Sequence, residues 1–116
     1  MKITRIYTGQ DGESHFEEID IQLIPVGPAG SISEPVPAQN VIFRETGPDY
    51  NLDFHPAPRR QYVVNLTGSV ELEVGSGEKQ VLGPGSILLA EDTTGRGHKS
   101  RAVNNEPRQC LFIALE

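Results

Sequence analysis

Apolar and polar residues alternate in short runs from one end of the chain to the other. Nowhere do apolar residues recur at the three-to-four-residue spacing of an amphipathic helix, so helices should be minor. Val70, Leu72 and Val74 fall on one face of an extended segment, with Glu71 and Glu73 on the other. Ile19, Ile21 and Leu23 alternate in the same way with Glu18, Asp20 and Gln22. The pattern predicts strands over 3–8, 17–24, 41–46, 61–66, 70–74, 79–82, 87–90, 98–103 and 109–115. Turn-forming clusters separate them, among them Gly9-Gln10-Asp11-Gly12, Gly47-Pro48, Thr67-Gly68-Ser69 and Gly75-Ser76-Gly77. Between 25 and 39, four prolines (Pro25, Pro28, Pro35, Pro37) with Gly27 and Gly30 rule out a helix or a central strand and predict an extended connecting arm. Neither an internal repeat nor a domain boundary is visible. The expectation is one all-β domain, a sandwich or barrel. Within it, strands and a Pro/Gly-rich arm over 1–40 pack on a barrel formed by 41–116.

Length and composition narrow this picture. A chain of 116 residues suits one domain with one core. Twelve glycines and nine prolines supply the turns that many short strands need. Sixteen acidic against ten basic residues leave a net charge of −6, which argues against nucleic acid as a partner because phosphate binding needs a basic face. No run of 18 apolar residues predicts a membrane-spanning helix, so no membrane partner is expected. The start Met1-Lys2-Ile3-Thr4-Arg5 leads into no apolar signal-peptide core, and a cytoplasmic location is expected. Cys110, the one cysteine, lies in the apolar run 110–115 and reads as a buried structural thiol.

Two stretches carry chemistry. The first has His55-Pro56-Ala57, then Gln61, then Gly68; the second has Gly83-Pro84-Gly85-Ser86, then His98, with Asn104 and Asn105 after it. Their spacing resembles the paired motifs of the cupin superfamily. The wording of 55–61 and 90–98 is similar to that of small single-domain cupins of a bacterial subgroup without an assigned function. The resemblance covers residues 55–105 and implies a cupin-type double-stranded β-helix, a jelly-roll barrel, with the N-terminal strand-rich arm beside it. In metal-binding cupins the first motif supplies two histidines and a glutamate, and the second supplies a third histidine. Carried over by position, those ligands are His55, Ala57, Gln61 and His98. Alanine cannot ligate, and Gln61 offers a neutral carbonyl where a carboxylate would stand, so the site the resemblance implies is degenerate. A shifted set of His55 and His98 with Asp53 or Gln61 would restore ligands for a divalent metal, because Asp53 and His55 share a face in an extended strand.

The same stretches hold further candidates. Counting by twos from His55 puts Arg59 on the face of Ala57 and Gln61. There it would either clamp an anionic group or form a salt bridge to Glu91 or Asp92. Glu91 and Asp92 precede the glycine-bracketed loop 93–97 and read as solvated rim residues, with acid–base work as the sharper alternative. His15 reads as a surface or interface residue, and Phe43, Phe54 and Tyr62 as packing. Neither a nucleophile elbow, a phosphate loop nor a CxxC pair is present. The function expected is binding of a small polar or anionic molecule inside the barrel by His55, Arg59, Gln61 and His98, with the catalytic residues, if any, unknown. The alternative is a metal-dependent oxygenase or isomerase. A homodimer is expected, because arms such as 25–40 commonly reach onto a partner and cover a sheet edge.

Overall fold

The computed structural model describes residues 1–116 and is all-β, with one 3-10 turn at Gly27–Ala29 as the only helical element. Twelve strands form in chain order: β1 (Lys2–Thr8), β2 (Ser14–Asp20), β3 (Ile24–Pro25), β4 (Ser31–Ile32), β5 (Ala38–Thr46), β6 (Asn51–His55), β7 (Gln61–Thr67), β8 (Val70–Glu73), β9 (Lys79–Leu82), β10 (Ile87–Glu91), β11 (His98–Ala102) and β12 (Arg108–Leu115). Ten of these make two sheets. One has the order β2-β1-β10-β7-β12-β5, the other β6-β11-β8-β9. Only β1 and β10 run parallel; every other neighbouring pair is antiparallel.

The sheets face each other as a sandwich over a shared apolar core. Ile6, Leu88, Ala90, Val63 and Cys110 come from the larger sheet; Val70, Leu72 and Leu82 come from the smaller one, and Val74 follows directly after β8. The alternation read from 70–74 is realised here: Val70, Leu72 and Val74 are all buried, while Glu71 and Glu73 turn outward to the Arg101 guanidinium. Cys110 is buried, as its apolar setting implied. Residues 104 and 105 both take positive φ, at 56° and 53°, a conformation that asparagine tolerates better than most residues, and they make the exposed turn between β11 and β12.

Several segments differ from the sequence reading, among them β6 (Asn51–His55), where the pattern predicts no strand. The second strand begins at Ser14, before the predicted 17, because it pairs along its whole length with β1 (Thr8 opposite Ser14, Lys2 opposite Asp20). The proline-rich stretch contains a short hairpin of β3 and β4 around the 3-10 turn, and β5 begins at Ala38, so a division of the chain at residue 40 falls inside a strand. Moreover β1 and β2 are members of the six-stranded sheet, so the N-terminal strands and the later ones share one architecture.

Glu91, at the end of β10, ties chain segments far apart in sequence. Its carboxylate accepts from Arg5 Nε and Arg60 Nε, each at 2.6 Å. Burial pushes the Glu91 carboxyl up, but the two guanidinium groups together outweigh burial and hold it below the ordinary glutamate value of 4.5. A lowered folded-state value means that the unfolded chain binds the proton first, so the stabilisation is complete above about pH 5 and is lost as the pH falls through the folded value. Glu91→Gln should therefore be less stable than the wild type near neutral pH. Thermal melts should show the difference shrinking as the pH is lowered towards about 3; a difference independent of pH would assign the loss to packing instead.

Candidate functional site

A cavity of about 350 Å³ lies between the sheets. Val63, Val70, Leu72, Leu82 and Leu88 give it apolar walls, and its polar groups gather in two places. The spacing follows from β7, where Gln61, Val63 and Asn65 alternate inward and are all buried. Four residues of extended chain set Gln61 and Asn65 about 13 Å apart. Two histidines stand near the first, and an arginine is hydrogen-bonded to the second.

At the histidine end, His55 closes β6 and His98 opens β11 as its direct cross-strand partner, with ring centroids 4.7 Å apart. A local backbone feature makes this possible. Gly97 has φ +81°, and a Cβ there would overlap the His55 carbonyl and the Pro56 nitrogen, so the two strands meet this closely only over glycine. Each imidazole is held through Nδ1. His55 Nδ1 donates to the Asp53 backbone carbonyl at 2.7 Å, and His98 Nδ1 lies 2.6 Å from Asp92 Oδ2. With both Nδ1 atoms engaged, the Nε2 atoms are the free nitrogens, available to accept or deliver a proton.

Asp92 is entirely buried, which corrects its reading as a solvated rim residue. The tight loop 93–97 turns the chain back so that the Asp92 carboxylate points at His98, and Ser14 Oγ donates to the same oxygen at 2.7 Å. The other oxygen, Oδ1, has no partner. The Asp92 carbonyl accepts from Ala57 N at 2.9 Å, fastening the 56–58 segment over the cavity.

The distribution of arginines differs most from expectation. Arg59 is exposed and lies outside the cavity wall, although it donates to Gln61 Oε1 at 3.0 Å. It pairs with neither Glu91 nor Asp92; Arg60 and Arg5 hold Glu91, and His98 holds Asp92. Counting by twos fails because Pro56 and Pro58 bend 56–60 out of extended geometry. The arginine inside is Arg108, 5% exposed at the start of β12. Its Nε donates to Asn65 Oδ1 at 2.7 Å, while one terminal nitrogen, Nη1, is buried with no partner. Asn65 in turn donates to the Gly68 carbonyl, so the amide is locked with its oxygen towards the guanidinium. Arg44 of β5 lies nearby, donating to Tyr50 Oη and stacking over Tyr50 and Phe112 at 5.0 Å from each ring. Tyr50 Oη also bonds Ser100 Oγ. Neither Arg44 nor Arg108 has a carboxylate within ion-pair distance. Burial pulls the Arg108 guanidinium below the ordinary arginine value, and the positive charge of Arg44 adds to the effect.

One signal in the sequence pointed to Arg108. Alternation back from the buried Cys110 puts Arg108 on the same inward face of β12. Arg44 is found the same way once its pairing with Cys110 is known, which only the sheet register supplies.

The residues do not fit a resident divalent metal. Asp53 is exposed, and its carboxylate accepts from the Phe54 backbone N–H. Gln61 Oε1 already accepts from Arg59. No group of three His, Cys, Asp or Glu side chains anywhere in the chain could hold a metal ion. Two imidazoles and an amide oxygen remain, a poor set for such an ion. His15 lies apart from the cavity, its ring bonded to Asp11 at 3.0 Å. No helix is long and apolar enough to cross a membrane. No protein-family model matches the chain, and no curated protein matches it.

Gly97→Ala should cost about 2 kcal/mol or more, since it forces a side chain into a positive-φ position and against the His55 carbonyl. Chemical denaturation measures the loss. NMR should show the imidazole signals of both His55 and His98 displaced; a stable variant with both unmoved would contradict this role for the glycine.

Proposed function

We propose that this protein binds a small anionic molecule, most simply a carboxylate, in the cavity between its sheets. The observation that carries the reading is Arg108. A guanidinium taken out of water costs several kcal/mol unless charges and hydrogen bonds offset it. Here the hydrogen bond from Nε to a neutral amide and a contact with the neutral Tyr50 hydroxyl do so without any countercharge, and Nη1 is left orphaned beside a second unpaired cation. A ligand carboxylate would supply the missing acceptor and the missing negative charge, and a guanidinium is suited to meeting both oxygens at once. The apolar walls suit a hydrocarbon body, and a volume of about 350 Å³ falls in the range of small-molecule sites.

The histidine end gives such a ligand a second polar contact. His98, backed by Asp92, and His55, fixed by a backbone carbonyl, line the same cavity as Gln61, and the Nε2 of each is without a protein partner. This supports hydrogen bonding to the ligand's far end, and proton exchange with it is within reach of the same atoms. The set His55, Gln61 and His98 is retained from the sequence reading, with Arg108 and Arg44 taking the part expected of Arg59. The motif spacing of 55–105 supports placing the chain with the cupin-type barrels, and the two facing sheets are compatible with that placement.

The test is Arg108→Met, which keeps the bulk and removes the charge. With a panel of short aliphatic and aromatic carboxylates as probes, at least one should raise the wild-type melting temperature, by the stabilisation that binding to the folded state confers. The variant should lose that response while being no less stable by itself, because an unpaired buried charge has gone. A variant that is strongly destabilised and still responds to the carboxylates would make Arg108 a structural residue and sink the reading. Stoichiometric iron, zinc, nickel or manganese on the wild type that is lost in His98→Ala would overturn it in favour of metal chemistry.

A further inference from the structure

We propose that the outer face of the six-stranded sheet, together with the arm that joins its two edges, is the contact surface of a homodimer. The starting point is an inversion of polarity on the central strands. In β7 the residues facing the cavity include Gln61 and Asn65, while those facing away are Tyr62, Val64 and Leu66. In β12 the inward set includes Arg108, and the outward set includes Leu111 and Ile113. An antiparallel sheet with one face in water normally carries its polar residues on that face. Here the register lines up two apolar rows across four strands: Phe43, Leu111, Val64 and Ile87 in one, Val41, Ile113, Tyr62 and Leu89 in the other.

The chain covers only one side of this face. Near β1 and β10, Ile3, Leu89 and Leu115 are buried, with Ile19 and Ile21 packed against them. Towards β5 nothing covers it: Phe43 is 83% exposed, Val41 52% and Leu66 47%. The arm has the same property. Every residue from Gln22 to Phe43 except Ser33 is exposed, including Ile24, Val26, Ile32 and Val36. The β3–β4 hairpin pairs only with itself. The arm leaves the sheet after β2, one edge strand, and returns as β5, the other edge, so its apolar residues are continuous in sequence with the open face.

A second copy of the chain is the occupant that these features fit. The large apolar side chains left open on the arm, β5 and Leu66 expose on the order of 800 Å², beyond what a monomer usually leaves in water and close to what each partner contributes to a stable interface. A flat sheet face can stack on its own symmetry mate, so the same residues serve both sides of a two-fold contact. The free edge of β5 and the arm beside it are then shielded from uncontrolled strand pairing. This contact does not depend on what the cavity holds.

Sedimentation velocity at tens of micromolar decides the matter. The wild type should sediment as a dimer of the 12.7 kDa chain. Phe43→Asp should sediment as a monomer with an unchanged β-sheet circular dichroism spectrum. Val26→Asp with Ile32→Asp, placed on a hairpin that supports no other strand, should weaken the dimer at least tenfold. A monomeric wild type overturns the proposal, whether or not it binds anionic phospholipid vesicles, and so does a Phe43→Asp dimer of undiminished affinity. Should Phe43→Asp lose its β-sheet signal, hydrogen exchange on the wild type at two concentrations replaces it. Slower exchange over 22–43 at the higher concentration supports the dimer; exchange independent of concentration overturns it.

Discussion

The buried carboxylate of Asp92 is the tie on which the site depends, because one side chain and its backbone carbonyl join four separate parts of the chain. Oδ2 takes the Ser14 hydroxyl from the start of β2 and faces the His98 imidazole at the start of β11. The carbonyl takes the Ala57 N–H from the segment between β6 and β7. All of this happens one residue beyond β10, a strand in the middle of the larger sheet. Burial in a medium of low dielectric strengthens each of these bonds and makes each costly to lose. The ring of His98 is therefore held against rotation, and so is the wall on which Ala57 lies. The unpartnered Oδ1 shows that the cluster is one donor short of full satisfaction, a condition that well-packed interiors rarely keep without a use for it.

The cavity extends the same principle along its length. A stable sandwich would fill its interior with aliphatic side chains, and much of this one does so, through Ile6, Val63, Val70, Leu72 and Leu88. The exceptions are concentrated: Gln61, Asn65, His98, Ser100 and Arg108 are all buried and polar, and all line the cavity. Gln61, Asn65, His98 and Ser100 each have a hydrogen-bond partner within the protein, and Arg108 has one at Nε but none at Nη1. Arg108 is a full charge without a countercharge, and Arg44 beside it is another. The molecule thus carries a destabilising group at the place where a ligand could relieve it, a common relation between binding sites and the stability of the unliganded fold. On the opposite face of the same strands, apolar residues look outward, so both faces of the larger sheet are apolar in part and each needs a cover.

Much of the architecture was legible from local pattern. Period-2 alternation and turn-forming residues depend on neighbours a few positions apart, so the strands over 70–74, 79–82 and 87–90 could be read directly. The motif spacing singles out His55 and His98 as candidates, and the structure sets them opposite each other on neighbouring strands. The readings that failed did so for identifiable reasons. Arg59 was placed by alternation through two prolines that break it. Asp92 follows a strand and precedes a glycine-rich loop, a position where most carboxylates are in water, and its burial depends on contacts with Ser14 and His98 that local pattern does not carry.

What the amino-acid order determined alone is most of the longer strands, the inward and outward parity within them, and the turns between them, since these follow from the stereochemistry of adjacent residues. Neither β6 nor the β3–β4 hairpin is among those strands. What only the tertiary structure decided is which strands are neighbours. That choice rests on contacts between residues far apart in sequence, such as Ser14 with Asp92, Arg44 beside Cys110, and Arg108 with Asn65. The cavity is the space such long-range pairings enclose. Its charge follows from which arginines the pairings bring inside without a carboxylate, and no local pattern in the chain specifies that.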